Sequence, residues 1–296
     1  MHVFVTGATG WIGTAVVDEL LGAGHEVTGL ARSDAAALAL GKKGARVRRG
    51  DLDDLDGLRD GALDAQGVVH LANKHDWTNP AESNRAERAA VETIADALAG
   101  TDRPFVLAAG LSGLVRGRPA VETDVSPAVG PDSHRGGAEN LALEYAGKGV
   151  RAVSVRFAPS VHGVGDHGFL AAITAAARRH GASAYPGDGT TAWSAVHRPA
   201  AARLVRLGLE SAPAGSRLHA VAEEAVTTRE IAEAVGRVLD VPVISIELGK
   251  AVEHFGFVGR FVTTDMAASS AVTRELLGWT PSGPTLVEDI EAGAYA

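Results

Sequence analysis

The stretch that decides the fold is HVFVTGATGWIG, residues 2–13. Residues 2–6 are rich in β-branched and aromatic side chains, which predicts a short buried strand. Three regularly spaced glycines, Gly7, Gly10 and Gly13, lead directly into a segment whose apolar residues recur at helical spacing. A glycine loop between a strand and a helix exposes backbone amides to an anion. We therefore predict that this loop binds the pyrophosphate of a dinucleotide.

Short β-rich runs alternate with helix-length segments through the first half of the chain. The predicted strands are His2 to Thr6, Glu26 to Leu30, Arg46 to Arg48, Val68 to Leu71, Phe105 to Ala108 and Ala152 to Arg156. Such alternation requires right-handed crossovers and therefore a parallel sheet. After the last of these strands the regular alternation of strands and helices ends. Helices are predicted over Phe169 to His180 and around Thr228 to Leu239.

The pattern predicts an α/β fold, namely a Rossmann doubly wound parallel sheet with a smaller C-terminal substrate-binding region. We assign residues 1–163 to the dinucleotide-binding domain, to which the segment of about 190–220 also belongs. Residues 164–189 and 221–296 form the predicted substrate-binding region.

The composition excludes several classes of function. The formal net charge is −8, and acidic residues closely follow the densest basic cluster, residues 46–49, which argues against nucleic acid as a partner. The sequence has no cysteine, which excludes disulfide scaffolds and thiolate chemistry. It shows neither an N-terminal targeting pattern nor an apolar stretch of membrane-spanning length. We therefore expect a cytoplasmic protein without a membrane partner.

The glycine spacing G-x-x-G-x-x-G resembles that of the extended branch of the short-chain dehydrogenase/reductase superfamily, the epimerase/dehydratase-like branch. Further matches cover nearly the whole chain: VVHLAN at 68–73, RFAPSVHG at 156–163, GDG and AVHRPAAA within 187–202, and SSAVTRELLGWTP at 269–281. The resemblance implies a nicotinamide cofactor. The residues assigned to cofactor binding are Thr6, Gly7, Thr9, Gly10, Trp11, Ile12, Gly13, Arg32, Ser33, Asp51, Leu52, Leu71, Ala72, Asn73, Arg135, Pro159 and Ser160.

The end of the second predicted strand distinguishes the two nicotinamide cofactors. An acidic residue there binds the ribose hydroxyls of NAD, whereas an arginine pairs with the extra phosphate of NADP. This chain has Arg32 followed by Ser33, and a guanidinium suits a phosphate in both geometry and charge. The alternative is that Arg32 is a solvated side chain while Asp34 holds the ribose. We favour NADP(H) over NAD(H).

The catalytic Tyr-x-x-x-Lys pair that is usual in the superfamily is absent. None of the three tyrosines has a lysine four residues later. Aligning on Glu139, which resembles the glutamate that ends the family's helical motif, places Arg135 at the lysine position and Pro131 at the tyrosine position. Gly110 falls where the family usually has a serine, and Ser112 is the nearest hydroxyl. The chain is in this respect similar to the atypical members of the superfamily.

Imidazole titrates nearest to neutral pH and is the natural substitute for the missing proton donor. The chain has 11 histidines, and four lie on loops that we predict to face the nicotinamide, namely His75, His134, His162 and His167. The candidate catalytic residues are Ser112, His134, Arg135 and His162. Each of the four histidines can instead be a structural or surface residue. No metal site is predicted, because no H-x-x-x-H or H-E-x-x-H spacing occurs.

Aromatic residues and histidines supply candidates for a partly apolar substrate pocket. They are His75, Trp77, His167, Trp193 and Phe255, together with His254, Phe257 and Phe261. The alternative for Trp193 and the phenylalanines is a place in the hydrophobic core.

Three functional hypotheses follow from the residues and the resemblance. The first is an NADPH-dependent oxidoreductase that reduces a small, partly hydrophobic carbonyl, imine or enone. The second is an epimerase, isomerase or dehydratase that retains its cofactor without net redox change. The third is a non-catalytic NADP-binding sensor or scaffold protein, which the missing Tyr-x-x-x-Lys pair favours. We expect a small-molecule substrate as the partner and allow for a homodimer.

Overall fold

The computed structural model describes residues 1–76 and 78–295. Its strands are β1 (His2–Thr6), β2 (Glu26–Ala31), β3 (Arg46–Arg49), β4 (Gly67–His70), β5 (Pro104–Gly110), β6 (Arg151–Phe157), β7 (Ser160–His162), β8 (Ser183–Pro186), β9 (Ala192–His197), β10 (Arg217–Ala220), β11 (Glu223–Thr227) and β12 (Val243–Ile246). Its α-helices are α1 (Trp11–Gly22), α2 (Asp34–Lys42), α3 (Leu55–Asp64), α4 (Pro80–Leu98), α5 (Ala138–Glu144), α6 (Phe169–His180), α7 (Arg198–Ser211), α8 (Thr228–Leu239), α9 (Ala251–Phe255), α10 (Ala271–Leu277) and α11 (Leu286–Glu291).

The central sheet has seven parallel strands in the order β10-β6-β5-β4-β1-β2-β3. This order reverses direction between β1 and β4, and open α/β sheets bind their ligands beside such a reversal, at the carboxyl ends of the strands. The predicted Rossmann α/β fold is therefore confirmed, and each predicted strand of this sheet lies within one or two residues of its observed bounds.

Both faces of the central sheet are buried, which explains why β1 reads as a nearly continuous apolar run. Val3 and Val5 pack into the core beside α1 and α7, whereas Phe4 points to the opposite core beside α3 and α4. Alternate side chains of one strand thus fill two different layers. The carboxyl ends of these parallel strands lie at one edge of the sheet, where the loops of the site lie.

The C-terminal half adds a three-stranded sheet, β11-β9-β7, and a two-stranded sheet, β12-β8. A third core around Trp193 joins these strands to α6, α8, α9 and α11. The helix α8 begins with a capping box in which Thr227 and Glu230 satisfy each other's backbone amides. Helices α6 and α8 have the bounds predicted from the sequence. The division into a cofactor domain and a substrate-binding region at residue 163 stays a prediction.

Within the described ranges, the helices are all too short or too polar to cross a bilayer.

Candidate functional site

The glycine loop forms a tight turn between β1 and α1. The Gly10 amide donates to the Gly7 carbonyl oxygen at 2.9 Å, and Gly7 has a φ of +67°. A Cβ on Gly7 would lie 2.6 Å from the Ala72 nitrogen, and one on Gly13 would overlap the Gly7 carbonyl. Gly10 is the N-cap of α1 and provides no side-chain cap. The first amides of α1 therefore remain available to an anion, and the loop fits a dinucleotide pyrophosphate.

Thr6 connects the glycine loop to the end of β4. Its Oγ1 accepts from the Ala72 amide at 3.3 Å and hydrogen-bonds to His70 Nδ1 at 2.9 Å. Its carbonyl oxygen accepts from the Leu71 amide at 3.2 Å. These bonds fix the segment at residues 71–73 beside the loop, as expected for two strands whose carboxyl ends meet at the same edge.

The residues expected at the adenosine end lie at the ends of β2 and β3. Arg32 is exposed and forms no hydrogen bond or ion pair with any described residue. Asp34, the competing ribose ligand, pairs with Arg49 at 2.7 Å. Ser33 is the N-cap of α2 and accepts from the Ala36 amide at 3.2 Å, which leaves its hydroxyl proton free to donate.

The adenine-contacting pair lies on the neighbouring loop. Asp51 is exposed and accepts from the Asp53 amide at 2.9 Å, whereas Leu52 is buried against the core that contains Phe4. At the other end of the cleft, Ser160 is buried and its Oγ has no hydrogen-bond partner among the described residues. Pro159, directly before it, is partly exposed. The Ser160 hydroxyl is therefore available to a ligand or to a water molecule.

A buried carboxylate organises the reaction side of the cleft. Glu87 on α4 is only 1% exposed and binds the Arg135 guanidinium at 2.5 Å. Its other oxygen accepts from the Asn73 amide nitrogen at 3.0 Å. We call Asn73, Glu87 and Arg135 the Glu87 cluster. One guanidinium nitrogen of Arg135 bonds to Glu87, so other N–H groups of the guanidinium are available to a substrate or cofactor.

The backbone before α5 adopts a left-handed turn rather than a helical start. Arg135, Gly136 and Gly137 have φ values of 52°, 61° and 63°. A Cβ on Gly136 would lie 2.5 Å from the Asn84 carbonyl oxygen, so only glycine fits. The Asn84 side chain accepts from the Arg135 amide at 2.9 Å. This strained turn places Arg135 on Glu87, and such left-handed non-glycine residues concentrate at functional sites.

Three histidines lie in the electrostatic field of the Glu87 cluster. The pKa values of His70, His75 and His134 are lowered, chiefly by desolvation. The Arg135 charge lowers each of these pKa values further, while Glu87 opposes the change. All three imidazoles are therefore less protonated at neutral pH than an imidazole in water. His75 and His134 are exposed at the surface of the cleft, whereas His70 is fully buried with Nε2 unbonded to any described residue.

Ser112 and Gly110 lie at the end of β5, on the same edge of the sheet. Both are exposed, and a Cβ on Gly110 would meet no atom within 4 Å. The family's usual serine would therefore fit at Gly110 without displacing any neighbour.

The structure corrects the assignment of His162 as a catalytic residue. Its ring is fully buried and bonds through Nδ1 to Asp289 at 2.6 Å, while Nε2 lies 3.8 Å from a Glu223 oxygen. Burial lowers the pKa of His162, which keeps the imidazole neutral against the C-terminal helix α11. In this structure the ring therefore packs in the interior and is not exposed in the cleft.

Part of the predicted substrate pocket is core. Trp193 is fully buried and donates to the carbonyl oxygens of Phe261 and Thr264, and Phe255 is 4% exposed. These two residues pack inside the C-terminal half and do not line an open cleft. His167 is exposed beside the Trp11 ring, with 6.0 Å between centroids. Trp77 lies outside the described residues.

The aromatic residues named beside them also pack mainly on one another. The Phe169 ring stacks on Phe261 at 4.8 Å and lies 6.0 Å from the half-exposed Phe257. His254 stacks on His180 at 4.2 Å.

Two residues of the site escaped the sequence reasoning. His70 lies inside the VVHLAN motif, but its position in a buried strand made it look like core. Glu87 lies on a helix that has many charges, and no local spacing marks it. The signal available in the sequence was the pair Gly136-Gly137 directly after Arg135. Two consecutive glycines favour a tight turn, and such a turn can fix the arginine against a carboxylate.

The buried neutral imidazoles make stability depend on pH. Burial lowers the folded-state pKa of His70, His162 and His219 below 6.5, so the unfolded chain binds protons first as the pH falls. Their contribution is complete above the unfolded pKa and is lost as the pH falls through about 6.5. We expect the free energy of unfolding to be lower at about pH 5.5 than at about pH 7.5. Urea unfolding at both pH values checks this, and equal stability would contradict it.

Comparison with known proteins identifies the family. The model of the NAD dependent epimerase/dehydratase family matches residues 3–220. An uncharacterized protein of Saccharomyces cerevisiae is 43% identical over 296 residues, which covers 99% of this chain and 98% of the yeast protein. A 4-hydroxy-2-methyl-3-oxo-4-farnesyl-3,4-dihydroquinoline-1-oxide ketoreductase of Stigmatella aurantiaca is 30% identical over 186 residues, covering 60% of this chain and 55% of the ketoreductase.

A solved structure shares the fold across the whole chain. The UDP-glucose 4-epimerase of Thermotoga maritima superposes with a TM-score of 0.77 at 18% identity, covering 100% of this chain and 98% of the epimerase. The sheet order, the glycine loop and the match to the family model agree. The chain belongs to the NAD dependent epimerase/dehydratase family, in the extended branch of the short-chain dehydrogenase/reductase superfamily, and is an NAD(P)-dependent enzyme of that family.

Proposed function

We propose that the protein is an NADPH-dependent reductase of a small, partly hydrophobic carbonyl, imine or enone. The observation that carries this proposal is the charge pattern at the end of β2. Arg32 has no carboxylate partner among the described residues, while Asp34 is held by Arg49. A free guanidinium at this position favours the extra phosphate of NADP. The ketoreductase relative supports the same direction of reaction.

Different residues of the chain would bind the cofactor, stabilise the developing charge and supply the proton in such a reduction. The glycine loop and Arg32 bind the cofactor, which supplies the hydride when bound. Arg135, fixed by Glu87, directs positive charge at the substrate's oxygen or nitrogen, where negative charge develops. Arginine cannot release a proton near neutral pH. His134, exposed beside Arg135, replaces the missing tyrosine: its protonated form gives the proton and then takes one from solvent. Because the pKa of His134 is lowered, this form is populated more as the pH falls below neutral.

The cofactor assignment predicts a selective loss in one variant. Arg32→Gln removes the charge that binds the extra phosphate, so we expect the dissociation constant for NADPH to rise about 10-fold or more, from one charged hydrogen bond. The dissociation constant for NADH should stay unchanged. Titration by nucleotide fluorescence measures both, with Arg59→Gln as the matched control because Arg59 pairs with Asp56 on an exposed helix surface. Equal losses for both nucleotides would contradict the assignment.

A panel of ketones, aldehydes, imines and enones tests the reaction itself. Loss of NADPH absorbance with matching formation of reduced product supports the proposal. His134→Ala should then lower kcat more than it raises KM, by about 100-fold as for a general acid. Unchanged turnover in that variant would remove His134 from the mechanism.

A second candidate is a redox-neutral epimerase or dehydratase. The family match favours it, because the matching model is that of epimerases and dehydratases. Such an enzyme would retain its nucleotide through purification and convert substrate without consuming NADPH. Measuring the nucleotide released on denaturation, together with product formed in the absence of added NADPH, separates the two candidates.

A further inference from the structure

An arginine from the second half of the chain lies on the glycine loop. Arg198 is the first residue of α7, and its guanidinium carbon lies 3.9 Å from the centroid of the Trp11 ring. Trp11 is itself the first residue of α1. The contact therefore brings the N-terminal ends of α1 and α7 together at the carboxyl edge of the sheet.

The positive charge at this place is not compensated. Arg198 forms no ion pair or hydrogen bond with any residue in the described ranges. Neither α1 nor α7 has an acidic residue in its first turn, and neither N-cap, Gly10 or His197, provides a side-chain hydrogen bond. Helix N-termini carry partial positive charge, so a cation as the first residue of α7 is unfavourable unless an anion binds there.

The carboxylate on the neighbouring loop is already engaged. Asp166 accepts from the Tyr295 hydroxyl at 2.9 Å and from the Gly168 amide at 2.8 Å. It forms no ion pair with Arg198 within the described ranges, so the guanidinium is available to an anionic ligand.

The Trp11 ring holds the guanidinium in one orientation. Its Nε1 donates to the Val161 carbonyl oxygen at 2.7 Å, and His167 packs edge-on at 6.0 Å. Stacking on an indole uses the face of the guanidinium and leaves its in-plane N–H donors free. Arg198 thus presents partly buried N–H donors on the side chain that directly follows Gly10 of the glycine loop.

We propose that Arg198 is a second pyrophosphate ligand, which adds a guanidinium from α7 to the backbone amides of the glycine loop. This inference rests on the dinucleotide of the proposed function, but it does not depend on which of NADPH or NADH is preferred. It assigns the two arginines to different phosphates: Arg32 to the ribose phosphate that only NADP has, and Arg198 to the diphosphate that both nucleotides share.

Three probes separate these assignments in binding experiments that need no turnover. The probes are NADPH, NADH and adenosine 2′-monophosphate, which has the ribose phosphate but no diphosphate. Arg198→Gln should raise the dissociation constants of NADPH and NADH alike, by about 10-fold for one charged hydrogen bond, and leave the monophosphate unaffected. Arg198→Lys should lie between the wild type and Arg198→Gln, because it keeps the charge and loses the fork.

Matched controls keep the result interpretable. Arg203→Gln removes an exposed arginine from the same helix and should bind all three probes as the wild type does. Arg32→Gln should show the opposite pattern, with weaker binding of NADPH and the monophosphate only. The melting temperature of every variant shows whether it is folded.

Each outcome supports or overturns the inference. Equal loss of both dinucleotides in Arg198→Gln supports it. Wild-type affinities in that variant, or a loss confined to NADPH and the monophosphate, would overturn it while leaving the proposed function intact. A wild-type protein that binds neither dinucleotide would overturn both proposals together.

Discussion

Arg156→Met is expected to lower the free energy of unfolding by about 3–5 kcal/mol, the typical cost of breaking a buried ion pair. Arg156 on β6 is fully buried and donates to both oxygens of Glu139, at 2.7 and 3.1 Å. Ser154 also donates to this carboxylate at 2.6 Å, and His219 lies 3.4 Å from the guanidinium. Removing the arginine leaves a buried carboxylate whose charge is uncompensated. Urea unfolding monitored by circular dichroism measures the effect.

The double variant Glu139→Leu/Arg156→Met shows whether the loss comes from the unpaired charge. Replacing both partners of a buried pair by apolar side chains is often nearly neutral, so the double variant should recover most of the lost stability. Arg59→Gln, which breaks an exposed pair with Asp56, should change the free energy of unfolding by less than about 1 kcal/mol. A double variant that is less stable than Arg156→Met would show that packing, rather than charge, holds β6 to α5.

Glu87→Gln is expected to lower kcat/KM by about 100-fold on any substrate that the panel identifies, because a misplaced catalytic group costs that much. The neutral amide cannot hold Arg135 as an ion pair, and the guanidinium then leaves the position fixed by the Glu87 cluster. The loss should fall mainly on kcat, since Glu87 acts by positioning Arg135 toward the group that is reduced. Steady-state kinetics measure it, with the NADPH dissociation constant as a second readout.

The exposed Glu92 provides the matched control on the same helix, and Glu92→Gln should keep wild-type kinetics. Glu87→Asp keeps the charge and should recover part of the activity. A melting temperature near that of the wild type shows that the variant is folded. If folded Glu87→Gln turned over substrate at the wild-type rate, the Glu87 cluster would not be part of the reaction centre.

The sheet, the glycine loop and the order of the elements could be predicted because local patterns specify them. Alternating strands and helices identify a parallel sheet, and Gly7, Gly10 and Gly13 mark the turn whatever the rest of the chain does. The same reasoning placed Arg32 at the end of β2, where it lies without a carboxylate partner among the described residues.

The reaction side could be predicted only in part, because its contacts join residues far apart in the sequence. The sequence marks Arg135 and His134, but Glu87 is recognisable only once α4 lies against the left-handed turn. The same limit applies to His162, whose motif suggested the cleft although packing against Asp289 removes it from there. Trp193 was a candidate for the substrate pocket, but its side chain lies in the hydrophobic core.

The most direct test of the central claim follows the hydride itself. The protein is incubated with NADPH deuterated at the hydride-donating carbon and with the panel member that reacts fastest, and the product is examined by mass spectrometry. A reductase puts one deuterium into the product for each NADPH consumed, and this is the result that we predict. Product that carries no deuterium, formed without loss of NADPH, would contradict the account and would establish the redox-neutral reaction instead.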